Sequence, residues 1–431
     1  MKRISIVTLA TALVLLSGCN KDNELNNSVD IDFDNTTDMQ LIKLGGSTGA
    51  PSVKSRASIE SLDEMDVNDR MGIFCLAGRK TDVKSAQTAA APNWNNAVLP
   101  PDDPKYAGST NGRYWSNIRC EVQPDGGNYH IVPTELDANG KTQYYYRYYP
   151  ITSLYGYDFY GYYPYQTDDK VTYSSELVSV NMTINGHEDV IYGKSEDIDA
   201  AYAASLTDDP ALQKTLMASY YSARFFRKHP LMADDAHLKL EHKLARFRFF
   251  VYPGPDKEAA AVKTYDGALK LYVKELKLVD QFADLRLVVA SKSDKNRNGE
   301  LTALNKTMKD FTLLHKDGTL LEDDIVEFKT QVDANGVTVP DTTQLGDCIM
   351  FLPGGNKHLI SVSLADINTG EVYPSEANTV ISFKESTGQT FEAGKTYNVY
   401  LQVSGIKDIT LSAELVEWEE SGEDMDLVEF N

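Results

Sequence analysis

The stretch His237-Leu-Lys-Leu-Glu-His-Lys-Leu-Ala-Arg-Phe-Arg-Phe-Phe-Val-Tyr-Pro-Gly-Pro255 decides the fold class. Leu238 and Leu240 alternate with Lys239 and Glu241. Phe247, Phe249 and Val251 alternate again before a turn at Pro253-Gly254-Pro255. A period of two gives a pleated strand one apolar face, whereas a helix needs apolar residues three and four apart. The period returns at Leu269, Leu271 and Val273, and at Leu285, Leu287 and Val289. Apolar runs follow at 348–352, 359–364, 380–383 and 397–403. Turn residues separate them: Asn296–Gly299, Asn335-Gly336, Gly354-Gly355 and Asn368–Gly370. Upstream, Gly72–Ala77, Gln143–Tyr149, Tyr157–Tyr163 and Glu176–Ile184 read as strands. Residues 80–112 read as a long loop, and 196–216 are helical in composition but interrupted by Pro210. Short strands at regular spacing predict an all-β chain built of β-sandwiches.

Composition narrows the function. The 431 residues carry 63 acids against 42 bases, a net charge of −21, which disfavours a nucleic-acid backbone as partner. Seven His and four Cys leave little material for a metal site or a disulfide framework. Beyond Cys19 the cysteines are Cys75, Cys120 and Cys348, an odd number that reads as buried thiols.

The first residues form a leader. Lys2 and Arg3 precede an apolar core from Ile4 to Leu16, and Leu16-Ser17-Gly18-Cys19 follows. The core is too short to span a bilayer and reads as a secretory signal. The small residues before Cys19 resemble a bacterial lipobox, which implies lipid on the Cys19 sulfur after cleavage before it. No later stretch approaches eighteen apolar residues, so lipid is the expected membrane anchor. The expected organisation is a signal peptide over 1–18, a propeptide and linker over 19–56, and β-sandwich domains over 57–234 and 235–431. Within the propeptide Val29, Ile31 and Phe33 alternate with Asp30 and Asp32, and Met39, Leu41 and Leu44 suggest a second extended piece. Gly45 to Pro51 reads as a Gly/Ser/Pro linker that ends at the basic site Lys54-Ser55-Arg56-Ala57.

Chemical motifs are weak. Gly45-Gly46-Ser47-Thr48-Gly49 matches a hydrolase nucleophile elbow in letters, but no helix is expected after it. His237 and His242 lie five apart, on opposite faces of a strand, and cannot share a metal. Asp294-Lys-Asn-Arg-Asn-Gly299 resembles the first half of a calcium loop, but position twelve is Asn305 and Lys295 and Arg297 oppose a dication. No catalytic residue, metal or cofactor is expected. Eleven Tyr between residues 144 and 165 read as strand formers or as a recognition surface for sugars or proteins.

Four features together resemble the fimbrillin family, the type V pilus subunit precursors of Bacteroidota. They are the lipobox with a propeptide ending Ser55-Arg56-Ala57, the run Tyr157-Asp-Phe-Tyr-Gly-Tyr-Tyr-Pro-Tyr165, the segment Leu240-Glu-His-Lys-Leu-Ala-Arg-Phe-Arg-Phe249, and Ala413-Glu-Leu-Val-Glu-Trp418. The resemblance implies two transthyretin-like Greek-key β-sandwich domains and export as a lipoprotein. It also implies removal of the propeptide by a cut between Arg56 and Ala57. The expected partners are other fimbrial subunits joined by strand exchange, outer-membrane lipid through Cys19, and a host or bacterial surface ligand. Ile409, Leu411, Ala413 and Leu415 share one strand face, as the filler of a neighbour's groove or as the last strand of their own domain. Two other functions compete: a monomeric surface lipoprotein that binds glycan or protein, and a surface glycan hydrolase, which needs a carboxylate pair in a cleft.

Overall fold

The structure is a computed structural model. It describes residues 40–42, 44–47, 70–80, 117–125, 128–144, 148–149, 155–174, 177–195, parts of 200–213, 236–253, 271–291, 297–321, 330–332, 338–340, 343–366, 370–374, 379–382, 389–403 and 409–417. The described residues are mostly strand. The first eleven strands are β1 (Gln40–Leu41), β2 (Leu44–Ser47), β3 (Arg70–Lys80), β4 (Ile118–Asp125), β5 (Asn128–Leu136), β6 (Thr142–Tyr144), β7 (Tyr148–Tyr149), β8 (Tyr155–Tyr163), β9 (Val171–Tyr173), β10 (Leu177–Thr183) and β11 (Ile191–Ser195). The middle of the chain gives β12 (Ala236–His242), β13 (Ala245–Pro253), β14 (Leu271–Phe282), β15 (Asp284–Ser291), β16 (Leu301–Ala303) and β17 (Met308–Thr312). The last part gives β18 (Thr330–Val332), β19 (Thr338–Pro340), β20 (Thr343–Phe351), β21 (Lys357–Asp366), β22 (Val372–Pro374), β23 (Thr379–Ser382), β24 (Lys395–Val403) and β25 (Ile409–Glu417).

An eight-stranded sheet runs in the order β2-β12-β11-β8-β3-β4-β5-β6. One of its faces carries Phe74, Leu76, Tyr160, Tyr162 and Tyr192, which join one continuous core with Val178, Val180, Leu285, Leu287 and Val289 of a second sheet, β16-β15-β10-β9. The Tyr192 hydroxyl crosses between the two sheets and donates to the Val289 carbonyl at 2.9 Å, so a buried polar atom is satisfied. The opposite face buries Met71, Ile73, Cys75, Cys120, Phe159, Leu238 and Leu240. A sheet covered on both faces explains why its strands carry longer apolar runs than strict alternation allows.

A second packing unit sets β20-β13-β24-β25 against β17-β14-β21-β22, with β23 also on β21. The alternating Phe247, Phe249 and Val251 of β13 are fully buried, as their period demands. Phe351 lies 4.4 Å from both Phe247 and His358 between ring centroids, which ties the two sheets together. Along β14 a bulge falls between Val273 and Glu275, and the buried residues shift from Val273 to Leu276 and Leu278. One extra residue flips the phase of the alternation.

Strand pairing crosses residue 235. The strand β12 belongs to the eight-stranded sheet, and β10 pairs with β15 from Leu177↔Ser291 to Thr183↔Asp284. The run 143–149 is not one strand: β6 pairs with β5, whereas β7 pairs with β1. From residue 200 to 213 the described positions Ala200, Ala203, Ala204, Pro210 and Gln213 are helical, with a break at Asp208-Asp209. The Gln213 amide donates to the Asp209 carbonyl at 2.9 Å, so Pro210 stands in a first helical turn, where its missing N–H costs nothing. No helix among the described residues is long and apolar enough to cross a membrane.

Candidate functional site

The segment before residue 48 supplies strands to the fold. Residues 45–47, read from the sequence as the start of a linker, continue from Leu44 as β2 at one end of the eight-stranded sheet. This strand pairs with β12 in parallel, in the register Leu44↔Ala236, Gly45↔His237, Gly46↔Leu238 and Ser47↔Lys239. On its other side β12 pairs antiparallel with β11, from Ile191↔His242 to Ser195↔Leu238. Backbone bonding thus fills both sides of β12, and removing β2 would leave one side open.

The side chains reinforce the backbone. Leu44 is 1% exposed and Ile42 7%. Burying each is worth about 1.5–3 kcal/mol relative to water. Leu238 and Leu240 of β12, the strand that β2 pairs with, are buried as well. These leucines fit because glycine stands opposite them: a Cβ on Gly161 would lie 2.7 Å from Leu238 Cδ1, and one on Gly193 2.6 Å from Leu240 Cδ2. The two glycines of β8 and β11 let the leucine side chains lie flat over the sheet.

The far end of β12 is clamped by polar contacts. His242 Nδ1 lies 2.6 Å from Asp189 Oδ2, with side-chain exposures of 10% and 1%. Asp189 Oδ1 accepts the Val190 amide at 2.7 Å, and the Lys243 amide donates to the Val190 carbonyl at 2.7 Å. A buried carboxylate with hydrogen bonds to both oxygens is a stable anchor. The arrangement is therefore a strand, β12, fixed at one end and flanked on one side by a short segment from the N-terminal part of the chain.

The other sites expected from the sequence fall as follows. Cys19, Arg56, Ala57, the Val29–Phe33 alternation, Trp418 and the acidic tail lie outside the described residues. Gly45, Gly46 and Ser47 lie in a strand, not at a strand-to-helix turn. In the calcium-like loop, Asn298 Oδ1 accepts the Ser291 amide at 2.7 Å and Arg297 Nε donates to Glu300 Oε2 at 2.7 Å. Among the described residues no group of three or more His, Cys, Asp and Glu could hold a metal ion. Cys75, Cys120 and Cys348 are buried and form no disulfide among the described residues. Burial, with Asp158 nearby, raises the Cys75 thiol well above its ordinary range, and burial pushes Cys348 up to about 12. Thiols held protonated in this way are poor nucleophiles. The segment Ile409–Glu417 pairs along its full length with β24 of its own chain, from Val403↔Ile409 to Lys395↔Glu417. Most tyrosines of β8 are structural: Tyr160, Tyr162 and Tyr163 are buried, whereas Tyr144 on β6 is 48% exposed.

Sequence reasoning reached an extended piece through Met39, Leu41 and Leu44 but missed its continuation over Gly45–Ser47, because Gly45-Gly46 reads as a linker. The available signal was the pair Ile42 and Leu44, two apart, immediately before the glycines.

No known family profile matches the chain, and no curated protein matches it. Solved structures do. A candidate cell adhesion protein from Bacteroides uniformis is similar over 88% of this chain and 98% of its own, at 13% identity and a TM-score of 0.40. The fimbrial anchor protein Mfa2 from Porphyromonas gingivalis is similar over 91% of this chain and 99% of its own, at 10% identity and a TM-score of 0.30. A candidate polysaccharide binding protein from Bacteroides thetaiotaomicron is similar over 88% and 96%, at 7% identity and a TM-score of 0.30.

Proposed function

We propose that this chain is the precursor of a structural subunit of a cell-surface fimbrium, a type V pilus, that supports adhesion and biofilm formation. In this reading it travels to the outer membrane as a lipoprotein on Cys19, is cut between Arg56 and Ala57, and polymerises by strand exchange. The supporting observation is the parallel pairing of β2 with β12, because β2 lies before the proposed cut and occupies the side of β12 that a neighbour's strand would need. In the precursor, β2 covers the edge in cis. After the cut the edge is held only by a detached segment, and a longer strand from another subunit replaces it. A donated strand gains backbone hydrogen bonds along its whole length, whereas β2 is four residues long.

The test uses a chain that starts at Ala57. It is expected to form detergent-resistant ladders, and an excess of synthetic peptide covering residues 38–48 is expected to suppress them by refilling the edge. A chain from Ala57 that stays monomeric, or ladders indifferent to the peptide, would overturn the reading. Lipidation has its own check. Cys19→Ala is expected to block membrane delivery of the precursor, and mass spectrometry is expected to find Cys19 multiply acylated, since one short chain anchors only marginally. An unmodified Cys19 on membrane-located precursor would contradict it.

A further inference from the structure

Tyr144 lies on β6 at the opposite end of the eight-stranded sheet from β2, and the residue is about half exposed. Its hydroxyl is tied down on the protein side. It donates to Glu121 Oε2 at 3.1 Å and accepts from Gln123 Nε2 at 3.1 Å. Glu121 is itself fixed: Arg70 Nε donates to its Oε1 at 3.2 Å, and its side chain is 3% exposed. These contacts position the Tyr144 side chain while the residue stays 48% exposed. Leu136, 52% exposed, pairs with Thr142 two residues away on the neighbouring strand, so it extends the same sheet face beside Tyr144.

The polar groups around the ring are only partly used by the protein. Arg70 bonds through Nε, its side chain is 37% exposed, and its two Nη nitrogens have no partner among the described residues. Gln123 uses Nε2 on Tyr144, and its Oε1 accepts nothing among the described residues. A hydrogen-bonded aromatic ring thus stands near guanidinium donors and an amide acceptor that have no partner among the described residues. A purely apolar ligand would leave those groups unpaired. A polyanion would meet a chain of net charge −21 with the Glu121 carboxylate at the site. The chemistry that fits is a ring with an apolar face of C–H groups and a rim of neutral hydroxyls.

We propose that Tyr144, Arg70 and Gln123 form a subsite for one neutral pyranose unit of a glycan, with the sugar's C–H face on the Tyr144 ring and its hydroxyls on the Arg70 Nη and Gln123 Oε1 groups. The subsite does not depend on polymerisation, and it lies away from the β2 edge. The test presents the labelled full chain to an array of immobilised neutral and sialylated oligosaccharides. Retention on at least one neutral hexose oligosaccharide is expected. Tyr144→Ala is expected to weaken it by about tenfold or more. Tyr144→Phe keeps the ring and loses the hydroxyl contacts, and is expected to fall between wild type and Tyr144→Ala. Val372→Ala, which trims an exposed side chain on a different sheet, should change nothing. Circular dichroism melts of each variant check that the fold is kept. No retention on any saccharide, retention confined to sialylated ones, or retention that survives Tyr144→Ala would overturn the proposal.

Discussion

His358 shows how a single side chain makes this core sensitive to pH. Gln281 Nε2 donates to the Val279 carbonyl at 2.6 Å, which turns Gln281 Oε1 toward His358 Nδ1 at 3.1 Å. Nδ1 therefore carries the ring hydrogen, and the buried Nε2 has no partner among the described residues. Phe351, Phe391 and Phe247 surround the ring at 4.4, 4.9 and 5.7 Å between centroids. Burial among them pulls the His358 pKa down to about 4. The folded state then binds fewer protons than the unfolded chain, whose histidine titrates near ~6.5. The stabilising effect is full above about pH 6.5 and is lost as pH falls toward 4. Thermal melts between pH 7 and 4.5 should drop less steeply for His358→Phe than for wild type; equal slopes would show that His358 is not the responsible group. Tyr162 gives a second test at this scale. Its buried hydroxyl donates to Asn117 Oδ1 at 2.6 Å and accepts the Gln166 amide at 3.1 Å. Tyr162→Phe leaves both groups without that partner and should cost about 1–3 kcal/mol in a urea titration.

Among the elements, β2 carries the function proposed here. Leu44→Ala should loosen it, because truncating a buried leucine costs about 2–5 kcal/mol where the site cannot collapse. The expected readout is faster hydrogen exchange at Ala236–Lys239 with the rest of the eight-stranded sheet unchanged; protection equal to wild type would mean that Leu44 does not hold the segment. The loop before Gly299 should be indifferent to calcium, since Asn298 and Arg297 already use their polar atoms on Ser291 and Glu300. A melting temperature that rises by several degrees in millimolar calcium over chelator would contradict this. The long elements were legible in the sequence because their period of two survives: β12, β13, β15 and β24 lie where Leu238, Phe247, Leu285 and Tyr397 indicate. The short β2 was legible only at Leu44, where the extended piece from Met39 ends, because two glycines carry no periodicity and a parallel neighbour almost two hundred residues away supplies the pairing. The same holds for the subsite at Tyr144. Tyr144 was visible as part of a tyrosine-rich run and Arg70 and Gln123 were not, and only the tertiary contacts to Glu121 and Gln123 separate this tyrosine from the buried ones.

For the whole molecule, charge sets the conditions of the proposed assembly. Residues 1–56 hold six bases and six acids, so cutting after Arg56 leaves the net charge at −21. Subunits that exchange strands must approach against like charge, and salt shortens that repulsion to about 10 Å at 0.1 M. Assembly after the cut should therefore run faster at higher ionic strength; a rate that falls with salt would argue against strand exchange between acidic surfaces. The pairing of Ile409–Glu417 with its own β24 means that this segment is already committed within the chain before any exchange. The most direct test compares wild type and Arg56→Ala, each treated with a trypsin-like protease and then measured for molar mass by light scattering. The account predicts that wild type, trimmed to start at Ala57, grows into polymers, while Arg56→Ala stays at the mass of one chain. Arg56→Ala polymerising as well as wild type, or trimmed wild type staying monomeric at high concentration and high salt with residues 40–47 released, would contradict it.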